Sequence, residues 1–504
     1  MSDYWWIWCL ALVVGFGGCI GSFVNVIIYR LPRNIPLGQP RWSFCPNCET
    51  TIRWYDNIPV FSYFRLRGHC RTCAWPIPPR YVVIEIITLL AFLILFDTFF
   101  VAVVLDGTVG AAWTVSYRFA SDWPIYAAHV LLFACLLAMS AIDMEHYWLD
   151  IRFTHFAALC GFALHAIWTP IRQPPWPRPG ATLAAAAILA TIGAVVTHLI
   201  IAWIWHRKAK AAKTSSGEDP ATPTQVDPPT AQSVPIHRGR RSLRPSAWLA
   251  GLALSATLVM LVVAIIRPPT APDPTDQPGT PQLVNRIHRM PDSAFVTRVA
   301  PGILFVFCAM IAGSVIKRDS DDEIEEALES EKHNARKMAL TELAILLPTI
   351  ALFVGGWLAV QEGGLLEPLW QQMWHWQMGS ATRPFLGLGT AAAGFIIAGA
   401  LGWAVRIVFT LVLGKEAFGT GDIHIMAAAG AVVGWEVVLV GFFLSALLAL
   451  LGKALTLPFK RGHALPMGPW LTLGFFLALL WRGTFFDRFI DRIGFFFELV
   501  SGRA

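Results

Sequence analysis

The run Gly419-Thr420-Gly421-Asp422 leads into an apolar stretch that begins at Ile425 and continues to Leu455, and the reading of this junction decides the fold. Two glycines let a backbone turn tightly and come close to a second chain, and the carboxylate after them falls where membrane meets water. An acid in that place pairs with a cation or does chemistry. Taken as one long helix, 425–455 would leave Lys453, Lys460, Arg461 and His463 on the outer side, against the tendency of basic loops to stay in the cytoplasm. A short penetrating helix ending at Gly434, with a return from Glu436, keeps that loop inside and is the preferred reading. A second acid occupies a similar setting, Asp143 in Ala141-Ile142-Asp143.

Of the 504 residues, 55% are hydrophobic and 14% are charged, with 22 Trp and 33 Phe. A soluble domain carries about 25% charged residues, so the composition excludes an ordinary soluble enzyme and puts most of the chain in lipid. The net charge of +6 says less than where Lys and Arg fall. Nine cysteines do not imply disulfides, because four of them form two C-x-x-C pairs in a basic loop that the charge rule assigns to the reducing cytoplasm.

Residues 4–29 are apolar for long enough to span and are followed by Arg30, not by a small-residue cleavage site, which reads as a retained helix. Gly15, Gly17, Gly18 and Gly21 give it a face with little bulk, suited to close helix packing. Residues 30–80 leave the membrane, and eight Arg against Glu49 and Asp56 place them in the cytoplasm with the N-terminus outside. Further spans are expected at 82–105, 125–142, 153–168, 181–205, 340–361, 385–413 and, after the junction, 470–481. Residues 206–246, basic at both ends, Pro-rich and without apolar periodicity, read as a disordered cytoplasmic linker whose charges lie beside anionic headgroups. No aromatic platform accompanies those charges, so the bilayer is the expected partner and nucleic acid is not. Residues 247–338 hold an added pair of spans, 247–266 and 301–316, and a surface segment with eight acids from Asp319 to Glu331. The fold class is an all-α polytopic membrane protein of about 11–12 membrane helices with a small cytoplasmic four-cysteine, zinc-ribbon-like loop. In chain order its parts are a first helix (1–29), the tetracysteine module (30–80), helices carrying Asp143 (81–205), the linker, the insert, helices carrying Asp422 (339–482) and an interfacial tail (483–504).

Within the module, Cys45-Pro46-Asn47-Cys48 and Cys70-Arg71-Thr72-Cys73 are two thiol pairs about twenty residues apart, the pattern that closes a tetrahedral structural zinc site. With four cysteine ligands such a site has no open position, so its work is folding and not catalysis. A redox dithiol pair is the competing reading, and His69 is a possible substitute ligand that is expected to be merely exposed.

Two acids have a chemistry of their own. Peptide hydrolysis without a metal or a nucleophilic side chain needs a base to activate water and an acid to protonate the carbonyl oxygen or the leaving amine. Two facing carboxylates that share one proton supply both, which makes Asp143 and Asp422 the candidate catalytic pair. Gly419 and Gly421 would let an extended substrate backbone approach Asp422. Glu145 and His146 read as a solvated interfacial turn.

Several runs carry a family resemblance. Gly18-Cys19-Ile20-Gly21-Ser22-Phe23-Val24-Asn25-Val26, then Arg30-Leu31-Pro32, then Asp56-Asn57-Ile58-Pro59, Ser62-Tyr63, Gly68, Cys70, Arg80-Tyr81 and Glu85 resemble the opening of the bacterial prepilin peptidases. Leu465-Pro466-Met467-Gly468-Pro469 resembles that family's element before its last span. The resemblance implies an inner-membrane aspartyl endopeptidase whose site faces the cytoplasm and cuts type IV prepilins or type II secretion pseudopilins at a Gly|Phe-like bond. It also implies S-adenosylmethionine-dependent N-methylation of the new N-terminus, on cofactor-binding residues that the spacing does not reveal. The chain departs from the family in three places: Asp150 and Ile151 stand where a Pro-Asp pair is usual, His424 stands where a Lys is usual, and the segment between the two acids is far longer. Asp150 is therefore given no catalytic role. The rival readings are a peptidase without methylation, a transporter using intramembrane acids as a proton relay, and a zinc-bearing docking platform for a pilus or secretion machine.

Overall fold

Unbroken runs of Leu, Ile, Val, Ala and Phe leave a chain in lipid one local way to satisfy its backbone N–H and C=O groups, which is to bond them within each segment as a helix. The computed structural model describes residues 5–101, 115–146, 149–168, 180–215, 306, 335–378, 384–416, 418–456 and 466–480. They form α1 (Trp5–Arg30), a short α2 (Phe61–Arg65), α3 (Arg80–Phe96), α4 (Val115–His146), α5 (Ile151–Ile167) and α6 (Ala181–Ser215). After the insert come α7 (Ala335–Val360), α8 (Glu367–Met378), α9 (Pro384–Leu413), α10 (Thr420–Val433), α11 (Trp435–Thr456) and α12 (Gly468–Leu480).

Among the described residues seven helices are long and apolar enough to cross a membrane, and α5, α10 and α12 are shorter apolar helices. The expected all-α polytopic fold is what forms, and among the described residues there is no strand beyond isolated bridges. Each span expected outside 247–316 is present as a helix. Those at 247–266 and 301–316, with the linker from 216, the acidic segment at 319–331 and the tail at 483–504, lie outside the described residues, Val306 excepted. Several boundaries differ, and α4 begins at Val115, ten residues ahead of the expected 125. Helix α6 runs on to Ser215, so the first residues assigned to the linker continue the helix, in keeping with the helix-forming Ala and Lys of 207–213.

The junction at 419–436 resolves as two helices. Gly434 has φ 87°, which a side chain would resist, and it separates α10 from α11. At 14 residues, α10 is about 21 Å long, short of the roughly 30 Å hydrocarbon thickness, so Asp422 is carried by a helix that does not span.

Small residues let the helices approach. In α1, a Cβ on Gly17 would meet the Phe92 side chain at 3.1 Å, one on Gly18 would meet Pro59 at 3.3 Å, and one on Gly21 would lie 2.9 Å from Glu85 Cα. Gly15 faces open space, so the small face of α1 packs through three of its four glycines. Gly394 of α9 and Gly430 of α10 leave no room for a Cβ against each other's backbone. The main apolar core joins α3, α4, α10 and α12 through residues such as Leu93, Phe96, Leu136, Met426 and Phe475. Helix α7, beyond the insert, packs on α6 and α9.

Candidate active site

Two side chains of opposite origin meet here. Asp143 lies in the last turn of α4 and Asp422 in the first turn of α10, both buried, at 6% and 7% exposure. They are near enough for their charges to interact. Asp143 Oδ2 accepts the backbone N–H of Gly468, the first residue of α12, at 3.1 Å, where the N-terminal end of a helix dipole favours an anion. A Cβ on Gly468 would stand 2.9 Å from that oxygen, so only glycine lets the N–H reach it. One turn further along each helix, Ser140 and Thr472 share a 2.8 Å hydroxyl hydrogen bond that fixes α4 against α12.

Asp422 is held differently. Its Oδ1 is buried with no hydrogen-bond partner among the described residues. A Cβ on Gly419 would lie 3.0 Å from its Oδ2, and one on Gly421 would lie 2.6 Å from Leu149 Cδ1. Neither glycine has a positive φ, so both are required by space and not by turn geometry. For Gly421 the immediate neighbour is Leu149, a packing reason that the sequence did not reveal. His424, two residues on, meets His155 edge-on at 5.9 Å between ring centroids, and His155 meets His198 at 5.5 Å.

The loop in front of Asp422 is tied down by a side chain that sequence reasoning passed over. Arg406, 3% exposed in the apolar α9, donates to Glu342 of α7 through Nε at 2.9 Å and Nη2 at 2.8 Å. Its Nη1 donates to the Glu416 carboxylate and to the Phe418 carbonyl, directly ahead of Gly419. The signal was available: a lone Arg in one apolar span and a Glu at the start of another are expected to find each other. Asp150 and Glu145 are engaged with other partners. Asp150 caps α5 by accepting Arg152 N–H at 2.9 Å and binds the Arg152 guanidinium; burial alone would raise its pKa, but the Arg152 hydrogen bonds and charge outweigh that and hold it below the usual carboxylate range. Glu145 is not merely solvated, because it forms an ion pair with Arg80.

The four thiols of the module do converge. Cys45, Cys48, Cys70 and Cys73 place their sulfurs within 4.8 Å of one another. Cys45 and Cys73 sulfurs lie 3.8 Å apart, close to the edge of a tetrahedron with metal–sulfur bonds of about 2.3 Å, so the donor set fits a zinc ion. The two knuckles are built alike: Cys45 N–H donates to Thr50 O and Glu49 N–H to Cys45 O, while Cys70 N–H donates to Trp75 O and Ala74 N–H to Cys70 O. Glu49 and Ala74 each take a φ of 54° to complete the turn. His69 is exposed and turns its Nδ1 to the Arg67 carbonyl, away from the thiols. The module is braced by buried Asp56, whose carboxylate receives Arg71 and Arg65 at 2.6 Å and is held below the usual range first by Arg71.

Residues 15–99 match the family model described as the bacterial peptidase A24 N-terminal domain. The prepilin leader peptidase/N-methyltransferase of Klebsiella pneumoniae is 32% identical over 181 residues, covering 34% of this chain and 69% of that protein. This chain belongs to the prepilin leader peptidase/N-methyltransferase family. The family protein of Myxococcus xanthus is 34% identical over 29% of this chain and 38% of its own length. A type 4 prepilin-like proteins leader peptide-processing enzyme of Escherichia coli O78:H11 is 35% identical over 30% of this chain and 54% of its own. The chain thus spans about half or less of the length of these two relatives. No solved structure matches it. The family model ends at residue 99, so it covers the tetracysteine module and neither aspartate.

Proposed function

We propose that the chain is a membrane-embedded aspartyl endopeptidase that removes leader peptides from type IV prepilins or type II secretion pseudopilins, with Asp143 and Asp422 as the catalytic pair. The observation that carries this reading is the approach of two buried carboxylates, from α4 and α10, to within reach of each other's charge, one of which keeps an oxygen without a partner among the described residues. One carboxylate takes a proton from water as the oxygen adds to the scissile carbonyl, and the other, protonated, gives its proton to the carbonyl oxygen. Collapse of the tetrahedral species then sends a proton to the leaving amine. The orphaned Asp422 Oδ1 is the natural acceptor for that water. The scissile bond is of the Gly|Phe kind, the enzyme resides in a bacterial inner membrane, and the basic module and both aspartates face the cytoplasm, as the eight Arg of residues 30–80 favour.

The new N-terminus is then N-methylated. Zinc, held by Cys45, Cys48, Cys70 and Cys73, keeps the module folded, and S-adenosylmethionine, when bound, supplies the methyl group. The test is co-expression with a prepilin-like substrate. Asp143→Asn and Asp422→Asn should each lower leader removal by about 10²–10⁴-fold, the span of general acid–base catalysis. Unchanged processing in both variants would sink the aspartyl mechanism.

A further inference from the structure

Between the module and the adjoining ends of α1, α3 and α4 lies a cavity of about 1650 Å³. An ordinary small-molecule site measures roughly 300–1,000 Å³, so this one has room for a small molecule and the end of a peptide together. Its wall is rich in charge, and nearly every charged group there has an opposite charge or a set of carbonyls of its own. Asp56 binds Arg65 and Arg71, and Glu145 binds Arg80. Arg30 donates to the carbonyls of Leu37 and Pro40 at 2.9 and 3.0 Å, Arg33 to that of Tyr29, and Arg53 to the Tyr55 hydroxyl.

Glu85 is the exception. Its carboxylate accepts the Val60 N–H at 2.7 Å and a hydrogen bond from the Ser22 hydroxyl, but among the described residues no cation pairs with it. It is fixed in the wall because α1 touches its backbone at Gly21, and the phenols of Tyr29, Tyr63 and Tyr81 line the same space. Two other wall residues carry atoms that are orphaned among the described residues: Asn25, whose Nδ2 donates to Tyr81 O at 2.9 Å, leaves its Oδ1 buried without a partner, and Arg80 does the same with Nε. A half-buried carboxylate without a counter-charge, beside aromatic rings, is a site for a cation. The cavity also reaches Glu145, two residues from Asp143, so it opens close to the candidate peptidase site.

We propose that this cavity is the methyl-transfer chamber, that it takes a sulfonium methyl donor and the freshly cut N-terminal amine together, and that Glu85 receives the amine and removes its proton. This rests on the methylation reading given above. The N-terminal ammonium passes one proton to the Glu85 carboxylate. The freed nitrogen lone pair then forms the N–CH₃ bond while the C–S bond breaks, its electrons staying on sulfur to leave a neutral thioether. Arg80 and Asn25 hold the polar end of the donor, and the tyrosine rings face its sulfonium.

The experiment uses the full-length, zinc-loaded protein and a synthetic peptide that already begins with a free Phe, so that methyl transfer is read without any cleavage step. Irradiation with radiolabelled S-adenosylmethionine should place the label on peptides containing residues 22–33, 58–66 or 80–85. Label found only elsewhere, or no binding by the wild type, overturns the proposal. Glu85→Gln should lower methylation near pH 7 by at least about tenfold and recover most of it by pH 9, where an N-terminal amine with a pKa of about 8 has lost its own proton. The pH profile of Asn25→Leu should instead keep the wild-type shape while donor binding weakens. Methylation by Glu85→Gln equal to wild type at pH 7, or a loss that persists at pH 9 with zinc retained, refutes the role given to Glu85. Failure of Asp143→Asn to affect cleavage would refute the peptidase reading and leave this result standing.

Discussion

The tetracysteine module and the aspartate pair are built on opposite plans. The module is local: its four thiols lie within residues 45–73, each knuckle closes on its own backbone, and a metal held there would supply the cohesion that so short a segment cannot obtain from apolar burial. The aspartate pair is assembled from α4, α10 and α12, with Arg406 and Glu342 adding α9 and α7, so its geometry belongs to the bundle. The first is expected to unfold without disturbing the helices. The second cannot be moved without moving several of them.

Removing zinc should therefore separate the two most widely. Chelation, or Cys45→Ser, withdraws a contribution on the order of 10 kcal/mol from the module. Limited proteolysis should then cut within residues 31–79 while the helices carrying Asp143 and Asp422 stay protected, and methylation should fall further than leader removal. Loss of helix protection at the same time would show that the regions are not independent.

Arg406→Met attacks the other side of the comparison. It strands Glu342 and Glu416 and releases the Phe418 carbonyl, a loss of about 3–5 kcal/mol for a broken buried ion pair. The thermal midpoint and leader removal should both drop, while one zinc per chain is retained. Replacing Arg406 and Glu342 together with Met should recover part of the stability. Gly468→Ala is a finer probe, since the added Cβ must displace the Asp143 carboxylate by a fraction of an ångström. Cleavage should fall about a hundredfold with little change in melting, because small misplacements of catalytic groups are that costly. The smallest effect belongs to the module. Asp56→Asn removes the charge that gathers Arg65 and Arg71, both about half exposed, so about 1 kcal/mol is expected. Chelator-driven zinc release should quicken about fivefold, with leader removal less affected than by either helix substitution.

Legibility followed the same division. The thiol spacing alone announced four ligands, and they converge. The break at Gly434 was readable because charge placement and a glycine pointed to the same turn, and Asp150, set aside on pattern grounds, is occupied with Arg152 as a helix cap. Gly421 was read as room for a substrate, and its neighbour proves to be Leu149. The bond from Gly468 to Asp143 was not readable, since nothing in the local sequence names a partner hundreds of residues away, whereas Arg406 and Glu342 carried a signal, as a lone cation and an acid in apolar spans, that was passed over.

The sequence by itself determined that this is a polytopic helical membrane protein, which stretches are apolar enough to span, and that four cysteines form one cluster, because hydrophobic run length, charge placement and ligand spacing act over a few turns of chain. Only the tertiary structure decided that the acid after Gly421 lies beside Asp143, that Gly468 supplies its N–H and that Arg406 braces the loop. Those are close approaches between helices, set by which small residues allow two backbones to touch, and such contacts exist only once the bundle has packed.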